Sequence, residues 1–349
     1  MEWYIKLTES GIVPDPIIRT GIRRLLNRHL SELRAMDAET ESKYLKELVR
    51  TFSQGPIAAA PDKANEQHYE VPPEFYKIFL GPRMKYSGGY WTEAAQRSKR
   101  PERELEAAET AMLRLTCERA RIRNGQQVLD LGCGWGAAAF YIAEHFPGCR
   151  VTALSGSRDQ IEHISRKARE RGFSNIEAYV SDINDFNPSG TFDRIVSVEM
   201  FEHMKNYREL MRRAASWLTP GGKLFVHIFS HRRYCYEYPE TGSWMARTFF
   251  TGGTMPSDDL LLHFQEHLFL EDRWRVNGRH YQKTLRAWLR NFDGAKKKIM
   301  PILADNYGPE NAHRWFIYWR LFLMACEETF GLRKGNEYMV SHYRFGKKG

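Results

Sequence analysis

No run in the 349-residue chain is apolar for long enough to span a bilayer. The opening Met1-Glu2-Trp3-Tyr4-Ile5-Lys6 has no apolar h-region of a secretory signal. Cysteine is scarce: Cys117, Cys133, Cys149, Cys235 and Cys326 are odd in number, far apart and without a C-x-x-C pair. That pattern excludes a disulfide framework and a zinc site, so no metal is expected and a reducing cytoplasm is. No internal repeat is visible, which excludes a solenoid. Basic residues exceed acidic ones, 52 to 43, but the dense runs are only Lys296-Lys297-Lys298 and Lys347-Lys348. Without zinc-finger spacing or an RNA-binding aromatic signature, nucleic acid is not an expected partner.

Aromatic residues, in contrast, are plentiful. Nine Trp, 17 Tyr and 20 Phe within a 42% hydrophobic composition supply a large core and hint at an aromatic-walled pocket. Three regions separate by pattern. Residues 1–101 read as an N-terminal helical region, to about residue 65, and a cofactor-covering segment, with Asp15-Pro16 as an N-cap and first-turn proline. Ile18, Ile22, Leu25, Leu26, Leu30 and Leu33 follow as an apolar stripe, with Arg19, Arg23, Arg24, Arg28 and Arg34 around it. Such a helix either packs on a neighbour or lies on a membrane, and packing is the commoner outcome. Residues 102–232 alternate strand and helix: strands at Gln127–Leu131, Arg150–Leu154, Ile176–Val180, Arg194–Val198 and Lys223–Phe229, helices at Ala137–Glu144, Asp159–Arg171 and Tyr207–Leu218. This is the order of an α/β, doubly wound parallel sheet with right-handed crossovers. Gly221-Gly222 reads as a turn before the fifth strand. Residues 233–349 predict a helical lid over the site, then a final strand at Tyr338–Phe345.

Val128-Leu129-Asp130-Leu131-Gly132-Cys133-Gly134-Trp135-Gly136 is an apolar strand with an acid, then three alternating glycines. Glycines at the carboxyl end of a first strand let the backbone turn sharply and approach a ligand. The G-x-G-x-G spacing differs from the dinucleotide G-x-G-x-x-G. An acid before it suits a ligand with an ammonium better than one with a pyrophosphate. S-adenosyl-L-methionine, with an amino-acid end and a sulfonium, fits. The second strand ends without the acid that commonly holds ribose hydroxyls, leaving Ser155, Ser157 and Gln160 for that task. After the third strand, Asp182 is placed to accept from an adenine amino group and Ile183 to pack on the ring; Asp182 serves equally as a helix cap. Val198, closing the fourth strand, completes the cofactor set.

Glu199-Met200-Phe201-Glu202-His203 follows that strand. Read as a helix, it puts Glu199, Glu202 and His203 at i, i+3 and i+4 on one face at the ligand crevice. Two acids attract an ammonium, and one of them or the imidazole can take its proton before methyl transfer. Crowded carboxyls raise one another's pKa, which suits a base working near neutrality. A solvated helix start is the plainer reading.

From Gly11 to Lys348 the chain resembles the coclaurine N-methyltransferase-like branch of the cyclopropane fatty acid synthase family. The resemblance runs through His68-Tyr69-Glu70-Val71-Pro72, Met84-Lys85-Tyr86-Ser87-Gly88-Gly89-Tyr90-Trp91, the glycine motif and Glu199–Tyr207. It continues through Phe249–Pro256, Tyr318-Trp319-Arg320 and Ser341–Phe345. It implies a Rossmann-like methyltransferase core. It also implies that Tyr69 and Ser87 close over the cofactor's amino-acid end, that Glu199, Glu202 and His203 are catalytic, and that Tyr318, Trp319 and Phe322 wall a flat amine.

Cyclopropane synthases of that family hold a bicarbonate base, and the resemblance matches part of its cradle to Glu202, His227, Tyr281 and the Phe229 backbone. Two positions depart: their cysteine is Gly88, and their glycine before M-F-E-H is Glu199. A carboxylate there repels bicarbonate and attracts an ammonium, favouring N-methylation of a small aromatic or cyclic amine over alkylation of a lipid. The expected partner is therefore a small-molecule amine. Membrane contact through the basic helix is the lesser alternative, and a homodimer is left open.

Overall fold

The computed structural model describes residues 8–9, 11–58, 71–93, 101–239 and 241–347. Tyr69, with its neighbours His68 and Glu70, lies outside the described residues.

Among the described residues, the helices α1 (Asp15–Arg34), α2 (Ala38–Thr51), α3 (Pro73–Phe79) and α4 (Pro101–Ala120) precede the sheet. Helix α1 is capped by Pro14 without a side-chain bond, so Asp15 is its first residue and not its N-cap; the Asp15 carboxylate pairs with Arg320 instead. The core then runs β1 (Gln127–Leu131), α5 (Ala137–His145), β2 (Arg150–Ser155), α6 (Arg158–Glu170), β3 (Ile176–Val180), β4 (Phe192–Val198), α7 (Tyr207–Trp217) and β5 (Leu218–His231). A short hairpin of β6 (Tyr236–Glu237) and β7 (Thr254–Met255) encloses α8 (Trp244–Thr248). β8 (Leu268–Asn277), helices α9 (Arg279–Gly294), α10 (Lys296–Tyr307) and α11 (Pro309–Gly331), and β9 (Tyr338–Lys347) complete the chain.

The seven-stranded sheet has the order β3-β2-β1-β4-β5-β9-β8, parallel from β3 to β5 and antiparallel on both sides of β9. The inner strands are apolar and buried nearly throughout because helices cover both faces. Strand order reverses between β1 and β4, opening a crevice at their carboxyl ends, where α/β sheets bind ligands. Gly221-Gly222 is not a turn before β5. β5 already pairs at Phe192↔Leu218 and resumes at Arg194↔Lys223, so the glycines form a bulge with Gly221 at φ +74°.

Most of the N-terminal stripe is covered, but Leu25 remains 49% exposed. Ile18, Ile22, Leu26 and Leu33 of α1 pack on the same aromatic cluster as α11. Arg19 bonds Glu327 at 2.8 Å and Glu328 at 2.7 Å, Arg23 reaches Glu328, and Arg34 reaches Glu337. Three of the five arginines are thus spent on buried acids of the C-terminal region, whereas Arg28 pairs at the surface with Glu32 of its own helix. No helix among the described residues is long and apolar enough to cross a membrane.

Candidate functional site

The glycine turn after β1 is built for three separate reasons. Gly132, Gly134 and Gly136 all have left-handed φ, at +79°, +52° and +84°. A Cβ on Gly132 would strike Met200 at 2.6 Å, and one on Gly136 would strike Ile164 at 2.8 Å. Among the described residues nothing lies within 4 Å of a Cβ placed on Gly134, so that position borders open crevice. The backbone N–H groups of Gly132 and Cys133 donate to Leu154 O, tying the turn to the end of β2. Asp130 is 1% exposed and accepts from the Ala139 N–H at 3.0 Å. Burial pushes its pKa up to about 7. The carboxyl anchors the first turn of α5 beneath the glycines and does not present a charge to the crevice.

At the end of β2, Ser155 Oγ donates to Gln160 Oε1 at 2.7 Å and accepts from Ser157 N–H, while Ser157 caps α6. The Gln160 amide nitrogen keeps no partner among the described residues. Asp182 accepts from Asn184 N–H at 2.7 Å with one oxygen, the turn-capping reading, and Ile183 is partly buried beside it. Ser87 is buried with its hydroxyl bonded by Lys85, whose ammonium also donates to Gly88 O at 2.8 Å.

Glu199 is the unusual residue. It follows β4 at φ +53°, a left-handed region costly for a residue other than glycine, and its N–H donates to His227 O at 2.9 Å. Phe201–His203 then forms a single 3-10 turn. The three side chains do converge on one cavity, but through a left-handed residue plus a tight turn and not along an α-helical face. The cavity has about 900 Å³ including its open mouth. Tyr86, Phe229, Phe250, Trp288, Phe322 and Phe330 supply aromatic wall; Glu202 is buried in it, the Glu199 side chain is 9% exposed, and His203 is half-buried.

The Glu199 carboxyl lies between two groups: Tyr281 donates to Oε2 at 3.4 Å, and His227 Nε2 stands 3.1 Å from Oε1. The His227 N–H is not well aimed at that oxygen, and Glu199 Oε1, Glu202 Oε2 and His227 Nε2 all lack a hydrogen-bond partner among the described residues. Two unpaired carboxyl oxygens in an apolar cavity, one backed by an unpaired His227 Nε2, are costly unless a ligand meets them. Burial pushes Glu199 up to about 8, opposed by Lys85 and Tyr281. Glu202 is raised well above the carboxylate range by burial and then by Glu199. Lys85 falls to about 8, again by burial, with Glu199 and Glu109 opposing.

Two expected wall residues are elsewhere. Trp319 is fully buried in the aromatic core, 4.9 Å from Phe75 and 5.2 Å from Phe249 between ring centroids, and does not line the cavity. Tyr318 turns outward, donating to Glu9 at 2.5 Å. Tyr318 and Trp319 point about 100° apart on the helix, so the surfaces packed against each decide which of them, if either, faces the cavity. Phe322 and Tyr281 do line it, joined by Cys326, Thr329 and Phe330 one or two turns on. That continuation along α11 was legible as an i, i+4, i+7, i+8 pattern from Phe322. Lys85 was missed because a buried lysine leaves no periodic signal.

The sequence pattern of the mycolic acid cyclopropane synthetase family matches residues 59–340. The chain is similar to (S)-coclaurine N-methyltransferase of Thalictrum flavum subsp. glaucum, 37% identical over 350 residues, covering 99% of this chain and 95% of that one. It is also similar to the cyclopropane-fatty-acyl-phospholipid synthase of Escherichia coli (strain K12), 32% identical over 271 residues, covering 77% of this chain and 64% of that one. Among solved structures, a coclaurine N-methyltransferase bound to N-methylheliamine and SAH is 36% identical, with a TM-score of 0.92 and 99% of each chain covered.

Proposed function

The chain belongs to the mycolic acid cyclopropane synthetase family, and from that premise we propose that the carboxyl-lined cavity is where it methylates an amine. The enzyme is an S-adenosylmethionine-dependent N-methyltransferase acting on a small, aromatic or cyclic amine. One observation carries the choice of site: Glu199 puts a carboxyl between His227 and Tyr281. Those are two of the groups that hold bicarbonate in the lipid-alkylating branch by resemblance. Here their space belongs to the protein's own carboxyl, and a second anion would meet repulsion.

The crevice fits the cofactor: open space at Gly134, an unpartnered Gln160 amide and the free Asp182 oxygen surround the carboxyl ends of β1 to β3. In this reading Gly132, Gly134, Gly136, Ser155, Ser157, Gln160, Asp182, Ile183 and Val198 hold it, with Ser87 and Tyr69 at its amino-acid end. When bound it supplies a methyl group on a sulfonium. The residues of the chain then handle charge and position. An ammonium enters past the aromatic faces, which favour cations, and meets Glu199, which fixes it. Glu202 and His203 take its proton, leaving the nitrogen lone pair available; a carboxyl whose pKa is raised toward that of the amine accepts it with less penalty. Water is kept out by Phe229, Phe250 and Phe330, so the neutral amine is not immediately reprotonated.

The test is to incubate the protein with labelled S-adenosylmethionine and a panel of primary, secondary and tertiary amines beside unsaturated phospholipids. Transfer to amine nitrogen with none to lipid is expected. Glu202→Ala and His203→Ala should each lower kcat by about 10²–10⁴-fold with cofactor affinity intact, partly restored at high pH, whereas Glu199→Ala chiefly raises KM for the amine. Wild-type rates in both base variants from about pH 6 to 9 would remove the proton-transfer role.

A further inference from the structure

Behind Glu199, away from the cavity, runs a file of buried polar groups that the methyl-transfer reading does not use. His227 on β5 and His342 on β9 are register partners across the antiparallel pair, and both are fully buried. His342 Nε2 and His227 Nδ1 are 2.9 Å apart. At the far end, a guanidinium N–H of Arg119, in the last turn of α4, lies 2.7 Å from His342 Nδ1. At the near end His227 Nε2 is 3.1 Å from Glu199 Oε1.

Hydrogen-bond roles along this file follow from one fact. A guanidinium only donates, so His342 Nδ1 must accept. A neutral His342 therefore carries its proton on Nε2 and donates it to His227 Nδ1. His227 in turn carries its proton on Nε2, the nitrogen that faces Glu199. Protonating either ring would put a cation beside Lys85 and Arg119 in a dry interior, and burial holds both imidazoles well below the usual histidine range.

We propose that Arg119 and His342 are positioning residues for the methyl-transfer reaction, locking His227 in the Nε2–H tautomer so that it turns the positive end of an N–H dipole toward Glu199, without a well-aligned hydrogen bond, and cannot accept a proton from it. The proposal rests on the amine-methyltransferase reading of the cavity. Two consequences follow. Glu199 is favoured as a carboxylate, the form that holds an ammonium. A proton taken from the substrate is barred from leaving through the sheet and departs by the His203 side, at the mouth. Other charged groups that face the file are Lys85, Glu202 and Tyr281 around Glu199, and Asp272, Glu118 and Tyr90 around Arg119. Of these only Lys85 adds a second positive charge near Glu199, and it acts in the same direction.

The tautomers are readable without any substrate. Full-length protein labelled with ¹⁵N at histidine, examined by long-range ¹H–¹⁵N correlation, should give His227 and His342 as neutral Nε2–H rings from about pH 6 to 9. Arg119→Met removes the only fixed donor, so the pair should invert or mix. In the same variant the acidic limb of kcat/KM for a methylated amine should move up by about one pH unit, with Arg119→Lys restoring part of the shift. A wild-type His227 found as Nδ1–H or as imidazolium overturns the lock, and so do unchanged tautomers and an unchanged pH profile in Arg119→Met. Should Arg119→Met fail to fold, His342→Asn replaces it and the wild-type spectra still decide. Failure of amine methylation itself would appear in the transfer assay and leave the tautomer result standing.

Discussion

Among single residues, the three glycines of the first turn separate binding from packing. Gly134→Val places branched atoms in open crevice and at φ +52°, so it should abolish cofactor binding in a protein that still folds. Calorimetry on the folded variant checks this; retained tight binding would move the cofactor elsewhere. Gly136→Ala should instead lower stability, because its Cβ meets Ile164 and Phe140. Trp319 gives the opposite lesson. As a fully buried ring among Phe75, Phe249 and Phe322, its replacement by alanine should cost about 3–5 kcal/mol of stability. Phe322→Ala should raise KM for the amine, since that ring faces the cavity. Denaturant unfolding beside amine kinetics tells the two apart. Which aromatic faces a pocket was not legible in a run such as Tyr318-Trp319-Arg320, because helical rotation is fixed only once the partner surfaces are known. Glycines and acids at strand ends were legible, because their positions relative to the strand already place them at the crevice.

Elements were read well where periodicity was strong. β1 and β3 have the expected limits, and β2, β4 and the core helices differ by a residue or two. Where two signals competed, the reading failed: Gly221-Gly222 punctuates a strand by bulging it, and Glu199 leaves the helical region altogether. Helix α1 is the instructive element. No candidate site residue lies in residues 1–36, so the sequence alone predicts that their deletion leaves the chemistry intact. In the structure α1 covers α11, whose other side lines the cavity, and Arg19 neutralises Glu327, a residue with no exposure, together with Arg286. Truncation should therefore lower the melting temperature and impair amine binding; a truncated protein with wild-type stability and kinetics would contradict the packing. Salt-dependent flotation with anionic liposomes is expected to be absent, because the inward arginines are already paired. Binding at low salt would reinstate the surface role.

Over the whole molecule, buried carboxyls set the response to pH. Burial pushes Glu109 and Asp130 up to about 7. Unfolded, such groups titrate near about 4. The native state thus binds more protons across that interval, and the stability they contribute is complete below it and lost as pH rises through 7. Buried histidines work the other way. His163, His231 and His280 are held near about 4, so their contribution is present above the usual histidine value and lost as pH falls. A raw stability curve mixes the two, but Glu109→Gln isolates one. Urea unfolding at pH 5 and pH 8 should show wild type losing stability relative to this variant by roughly 2 kcal/mol; equal curves would mean that Glu109 ionises freely. The placement of β9 reaches further still. The last strand of the chain lies inside the sheet, between β5 and β8, and brings His342 with it. During synthesis the parallel half can assemble as soon as β5 emerges, yet β8 has nothing to pair with and Glu199 has no ordered file behind it. The nascent chain therefore waits as a half-built sheet with one apolar edge open, which makes the interval between the emergence of β5 and that of β9 the one of greatest exposure to chaperones and aggregation.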